Sequence, residues 1–175
     1  AVKGAVATNE VNAAMGIICA TPTAGSSGTI PGVLFKLEKT HDLTEDQMVD
    51  FLFTSALFGR VVANNASVAG ATGGCQAEVG SASAMAAAAS VAIFKGTPEQ
   101  SGHAMALAIS NLLGLVCDPV AGLVEIPCVM RNAIGSGNAL ISADLALAGV
   151  ESRIPVDEVI AVSYTHLTLP TILLV

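Results

Sequence analysis

Apolar positions along this chain recur at helical spacing, and Ala, Val, Leu and Gly fill most of them. Residues 1–19 read as a small-residue helix. Thr21 to Gly32 breaks it, because two prolines and three glycines disfavour regular structure there. Thr44 and Gln47 have the spacing of a capping box, and Met48, Leu52, Ser55, Ala56 and Gly59 follow at helical intervals, so a helix is expected to about Ala63. A polar, glycine-rich loop over 64–74 then delivers Cys75. Gln76 to Phe94 is Ala-rich and helical, and Gly96 is expected to close it.

Thr97-Pro98-Glu99-Gln100 combines an N-cap, a proline at the first helical position and a capping-box Gln. The helix it opens points Ala104, Leu107, Ala108 and Leu112 at the core. A loop over 114–126 follows, and Pro127 starts another helix with a bend expected at Gly135 and Gly137. No useful strand-like alternation precedes the tail. The expected fold is therefore all-α: a compact bundle of Ala/Gly-rich helices whose Gly/Pro-rich loops carry the chemistry. Val156 to Ala161 begins one more helix, whereas Ser163-Tyr164-Thr165-His166-Leu167-Thr168-Leu169-Pro170 does not suit it. The chain divides into a main unit at 1–162 and an atypical tail at 163–175, and neither Tyr164 nor His166 is given a role.

Composition sharpens this picture. Hydrophobic residues make up 53% of the 175 and charged residues 12%, with one Tyr and no Trp. Helices of such residues pack closely, and the scarce charge leaves surface for further protein to cover, so an oligomer or partner is expected. Four lysines and three arginines against a net charge of −7 argue against nucleic acid, whose phosphates demand cations. Mean hydropathy is +0.69. The longest apolar run, the 16 residues from Val79 to Phe94, falls short of the roughly 20 needed to span a bilayer. It reads as a buried helix rather than a membrane span. The start shows no charged segment leading into an apolar signal core, and four cysteines in this setting suit a cytoplasmic protein better than two disulfides.

Three cysteines have distinctive settings: Gly-Gly-Cys75-Gln-Ala-Glu, Leu-Val-Cys117-Asp-Pro and Ile-Pro-Cys128-Val-Met-Arg. Three thiolates can hold three corners of a cubic iron–sulfur cluster that normally takes four, leaving one iron open as a Lewis acid. Spacing alone equally suits three small buried residues, since no Cys-x-x-Cys pair is present. Thr23, Ser26 and Ser27 share a loop with Gly25 and Gly28, where hydroxyls and backbone N–H groups can take a carboxylate or simply make a turn. Glu78, Arg131 and Asn132 lie within one helical turn of Cys75 or Cys128, either supporting ligands there or solvated. Cys19, Met15, Met85 and Met105 read as core. His103 reads as packed or partly exposed, and Asp118 as an acceptor in a turn.

The words Asn9-Glu10-Val11-Asn12-Ala13-Ala14-Met15-Gly16, Pro22-Thr23-Ala24-Gly25-Ser26-Ser27-Gly28, Gly73-Gly74-Cys75-Gln76-Ala77-Glu78-Val79-Gly80, Gly114-Leu115-Val116-Cys117-Asp118-Pro119 and Pro127-Cys128-Val129-Met130-Arg131-Asn132 occur in this order. Together they closely resemble the α chain of bacterial iron–sulfur L-serine dehydratase, over roughly residues 1–160. The resemblance implies a [4Fe-4S] cluster on Cys75, Cys117 and Cys128, and deamination of L-serine to pyruvate and ammonia. It implies a β chain or β domain that completes the site, and an α chain with further residues before Ala1. It gives no part to pyridoxal phosphate, and Lys3, Lys36, Lys39 and Lys95 have no glycine-rich phosphate loop nearby. The alternatives are a related three-cysteine lyase for another small amino acid, such as L-cysteine, and a non-catalytic iron–sulfur protein.

Overall fold

A computed structural model describes residues 1–123 and 125–165 of the chain. His166 and the rest of the tail to Val175 lie outside the described residues. Seven helices form the described part: α1 (Val2–Ala13), α2 (Thr29–His41), α3 (Glu45–Asn65), α4 (Gly70–Ile93), α5 (Pro98–Ser110), α6 (Glu125–Leu147) and α7 (Val156–Thr165). Among the described residues the only β pairing is an isolated bridge between Val120 and Leu123. The all-α expectation holds.

Helix α4 is the axis of the bundle. Every residue from Val79 to Val91 is buried, and α2, α3, α5, α6 and α7 all pack against it. A helix touched on so many sides must have little side chain, which is why Ala and Ser dominate it. Neighbours come close where one partner is glycine: a Cβ on Gly59 of α3 would lie 2.6 Å from Met85, and one on Gly135 of α6 would lie 2.6 Å from Val79. Several buried serines bond to carbonyls instead of water: Ser83 Oγ donates to Gly135 O at 2.9 Å and Ser101 Oγ to Ala88 O at 3.2 Å. No helix among the described residues is long and apolar enough to cross a membrane.

Both expected capping boxes are present, Thr44 with Gln47 and Thr97 with Gln100. Other boundaries moved. Helix α1 stops at Ala13 rather than reaching residue 19, because Met15 turns left-handed (φ 62°) and Gly16 N–H donates to Val11 O in a Schellman-type end. Met15 is consequently 91% exposed, and Cys19 is exposed in the irregular stretch beyond, so neither belongs to the core. Cys19 lines an apolar groove of about 470 Å³ with Val11, Ile17, Ile30 and Leu34. At the end of α4 it is Lys95 (φ 59°), not Gly96, that takes the left-handed position.

Helix α2 was not anticipated, although Ile30, Val33, Leu34 and Leu37 bury one face at helical spacing. Pro31 and Gly32 lie in its first turn, where a missing N–H costs nothing and where α1 needs room: a Cβ on Gly32 would lie 2.8 Å from Ala5. In α3 the buried positions are Phe51, Ser55, Gly59 and Val62, while Leu52 is half in solvent at 46% exposure. In α5, Met105 and Ile109 are buried beside Ala104 and Ala108, with Leu107 only half-buried. Helix α6 starts two residues before Pro127 and runs unbroken through Gly135 and Gly137. Helix α7 takes in Ser163, Tyr164 and Thr165, which sequence had placed outside it.

Gly28 lies where α1 and α2 meet, and a Cβ there would overlap the Ala5 carbonyl oxygen. Gly28→Ala is expected to destabilise the protein by about 2 kcal/mol or more, read by chemical denaturation. Gly137→Ala, with nothing within 4 Å of the new methyl, is expected to be neutral or to stabilise by up to about 1 kcal/mol. Equal effects of the two substitutions would mean that the α1–α2 contact is not tight.

Candidate functional site

The three distinctive cysteines come together from three segments. Cys75 and Cys128 are buried and Cys117 is exposed. Two of them open helices rather than lying in the Gly/Pro-rich loops expected to carry the chemistry. Gly74 breaks α4 with φ 64° and ψ −160°, a conformation that only glycine adopts readily, and Cys75 begins the long segment that follows. Cys128 is the fourth residue of α6. Both sulfurs therefore sit at helix N-termini, whose partial positive charge favours anionic sulfur. Gly74 serves a second purpose, since a Cβ there would lie 2.9 Å from Cys117 N. Only a residue without a side chain lets the Cys117 segment approach so closely.

Gln76 stitches that segment down. Its backbone N–H donates to Leu115 O at 2.8 Å and its Oε1 accepts from Gly114 N–H at 2.6 Å. Its Nε2 donates to Ser163 O at 2.8 Å, which ties α7 to the same point. Gln76 was overlooked in the sequence, although a polar residue opening an otherwise apolar helix is a signal. Arg131 adds a second tie, donating from Nη1 to Cys75 Sγ at 2.9 Å and to Val116 O, and pairing through Nη2 with Asp118 at 2.8 Å. Asp118 is thus an ion-pair partner rather than an acceptor of turn N–H groups.

The Cys75 thiol is held down to about 6 by a hydrogen bond from Cys128 and by the Arg131 guanidinium, against the opposing effect of burial. Cys128 is pushed up for the complementary reason: it keeps its proton to donate to Cys75 and is partly desolvated. Cys117 is near enough for its charge to act on Cys128 in the same direction. Among the described residues no three His, Cys, Asp or Glu side chains close around a single metal ion.

Asn132 is fully buried and uses every polar position it has. Its Oδ1 accepts from Gly28 N–H and Thr29 Oγ1, both at 3.0 Å; its Nδ2 donates to Gly25 O at 2.7 Å and Cys128 O at 2.8 Å. One side chain thereby fastens the hydroxyl loop to the helix that carries Cys128. Glu78 fastens the same loop to α4, accepting from Thr23 Oγ1 at 2.8 Å. Cβ atoms on Gly25 and Gly70 would lie 2.7 and 2.5 Å from its carboxylate. Asn9 adds bonds to Gly25 O and Ser27 Oγ at 3.3 and 3.4 Å.

The hydroxyls differ in exposure. Thr23 is half-buried, whereas Ser26 and Ser27 have no exposed surface. Ser26 Oγ lies 3.1 Å from Thr21 O and from Thr23 Oγ1, so it holds the loop's own shape. His103 is half-buried away from the cysteines and accepts from Ser152 N–H at 3.2 Å.

The family model described as serine dehydratase alpha chain matches residues 1–166. The chain belongs to that family. It is 66% identical over 174 residues to the probable L-serine dehydratase alpha chain of Bacillus subtilis, covering 99% of this chain and 58% of that protein. Its identity to the probable L-serine dehydratase alpha chain of Latilactobacillus sakei is 68% over 161 residues, covering 92% of this chain and 77% of the other. The L-serine dehydratase alpha chain of Peptoniphilus asaccharolyticus is 56% identical over 156 residues, with 89% of this chain and 53% of that protein covered. This member of the family therefore spans little more than half the length of two of these three relatives.

Asn132→Ala strands the Gly28 N–H and the Thr29 hydroxyl in the interior and leaves Gly25 O with only the longer bond from Asn9. A loss of about 3 kcal/mol is expected in chemical denaturation. A loss below about 1 kcal/mol would mean that the loop at 25–29 is anchored without it.

Proposed function

We propose that this chain is the cluster-binding part of an iron–sulfur L-serine dehydratase, with a [4Fe-4S] cluster on Cys75, Cys117 and Cys128. The observation that carries the reading is the meeting of three thiols from three segments beside a hydroxyl loop tied to both α4 and α6. The donor set suits such a cluster. Thiolates are the ligands iron–sulfur clusters take, Cys75 is already biased towards thiolate, and an arginine N–H rests on its sulfur. Cys75, Cys117 and Cys128 would hold such a cluster as three separate ligands, which does not require them to converge on a single ion.

The reaction is a β-elimination. A proton leaves Cα and the C3–O bond breaks, so water is lost with no net change in oxidation state. The aminoacrylate formed tautomerises to an imine, which water hydrolyses to pyruvate and ammonia. When bound, the cluster supplies Lewis acidity at the iron that no cysteine holds, which eases departure of the hydroxyl group.

The chain's own residues bind and orient. Thr23 gives its one hydroxyl proton to Glu78 in the free protein, and to bind the substrate carboxylate the hydroxyl turns from Glu78 to it. Ser26 and Ser27 hold the loop in the shape that presents it, and Asn132 sets its distance from Cys128. No role falls to pyridoxal phosphate: Lys3, Lys36, Lys39 and Lys95 are all exposed, and none has the desolvated setting that activates a Schiff-base lysine. The alpha-chain names of the relatives support a β-chain partner that completes the site. Free thiols suit a cytoplasmic setting.

Full-length protein reconstituted anaerobically with iron and sulfide, in the presence of the β partner, is expected to release pyruvate from L-serine. Substituting Ala for Cys75, Cys117 or Cys128 should abolish the cluster's visible absorption, whereas Cys19→Ala should keep it. Retention by any of the first three, with loss in Cys19→Ala, overturns the ligand assignment.

Thr23→Val is expected to raise the serine KM and lower kcat/KM by up to about 10-fold, less than a whole hydrogen bond to a charged group because the hydroxyl leaves Glu78 to make it, with the cluster spectrum unchanged. Unaltered serine kinetics would place the carboxylate elsewhere.

A further inference from the structure

We infer that Arg131 is a positioning residue that keeps the Cys117 end of its segment, beyond the Gln76 tie at Gly114 and Leu115, closed over Cys75 and Cys128 before any cluster is present. The inference rests on the cluster reading above but concerns the protein's own bonds. Cys117 is the exposed member of the three, in a stretch between α5 and α6 where Val116, Val120 and Leu123 are 65%, 59% and 65% exposed. Such a segment has little burial to hold it. Arg131 brackets Cys117 from both sides, taking Val116 O with Nη1 and the Asp118 carboxylate with Nη2. The same Nη1 rests on Cys75 Sγ, and the residue stands on α6 one turn beyond Cys128.

One planar group thus reaches all three ligand-bearing segments. A guanidinium suits the task because its donors form a rigid fork, whereas a lysine ammonium offers a single point. Its side chain is only 13% exposed while that of Asp118 is 57% exposed. The fork is therefore anchored at the sulfur end and open at the loop end. The two ends are separable: Asp118 bears on the loop alone, and Arg131 bears on loop and sulfur together.

Full-length protein tests this in two states. In the metal-free state, hydrogen–deuterium exchange across residues 114–123 is expected to speed up about tenfold or more in Arg131→Met, which keeps an apolar stem and removes every donor. Asp118→Ala, a change at an exposed side chain, should speed it by a smaller factor. In the reconstituted state, the cluster of Arg131→Met should reduce at a more negative potential than wild type, because a cationic N–H donor has left a ligand sulfur. Asp118→Ala should leave that potential unchanged.

Exchange that is the same in Arg131→Met and wild type overturns the inference, whatever the cluster does. Faster exchange in a protein whose wild type takes up no iron and sulfide upholds the role of Arg131 and sinks the cluster reading instead. A loop loosened equally by both substitutions, with equal shifts in potential, would show that the sulfur contact adds nothing.

Discussion

The close approach of five helices to α4 is the constraint on which the rest of the molecule depends. A helix buried along its whole length from Val79 to Val91 leaves no polar face to compensate its desolvation. Its backbone must be self-satisfied and its serines must find carbonyls within reach, as Ser90 does at Ala86 O, 2.7 Å away. The gain comes from packing density rather than from large side chains. That is why glycine stands opposite Met85 and Val79, and why Phe51 is the largest fully buried residue in a core otherwise built from aliphatic and small side chains. An axis this rigid gives the bundle one well-defined end, and Cys75 stands there.

What the axis positions, a few polar residues then fasten. Gln76, Glu78, Arg131 and Asn132 each bond to a segment remote in sequence, and each is within one helical turn of Cys75 or Cys128. The Cys117 segment leaves Val116, Val120 and Leu123 exposed, so directed bonds rather than burial hold it. Those bonds are strong here because they are partly shielded from water and two of them involve charges. The hydroxyl loop and the Cys117 segment are thus set independently, one by Asn132 and Glu78, the other by Gln76 and Arg131. The division lets the hydroxyl loop and the Cys117 segment be altered separately.

The outer surface has another character. Ile126, Met130, Ile134, Ile141 and Leu145 on α6, with Phe53 and Leu57 on α3, are large apolar side chains between 38% and 74% exposed. They agree with a charge content of 12% and with a chain that spans 58% of its Bacillus subtilis relative. Much of the apolar character in the composition is therefore on the surface of the described chain rather than in its core.

The sequence alone determined the helical class, the two capping boxes, the buried character of residues 79–91 and the family, because these rest on local spacing and contiguous words. It also singled out Glu78, Arg131 and Asn132, which bond around the three cysteines, but it missed Gln76 and Thr29 and misjudged Asp118. It did not reveal α2, since Pro31 and Gly32 resemble a break until α1 is seen to require glycine against Ala5. Nor could it tell that Met15 and Cys19 are exposed, because burial depends on which neighbours arrive and α1 ends before them. Only the tertiary structure decided that Ser26 and Ser27 face inward while Thr23 meets Glu78, and that one arginine spans three cysteine-bearing segments. Those outcomes depend on contacts as far as 55 and 56 positions apart. Local spacing holds no information about such pairs until the helices are packed.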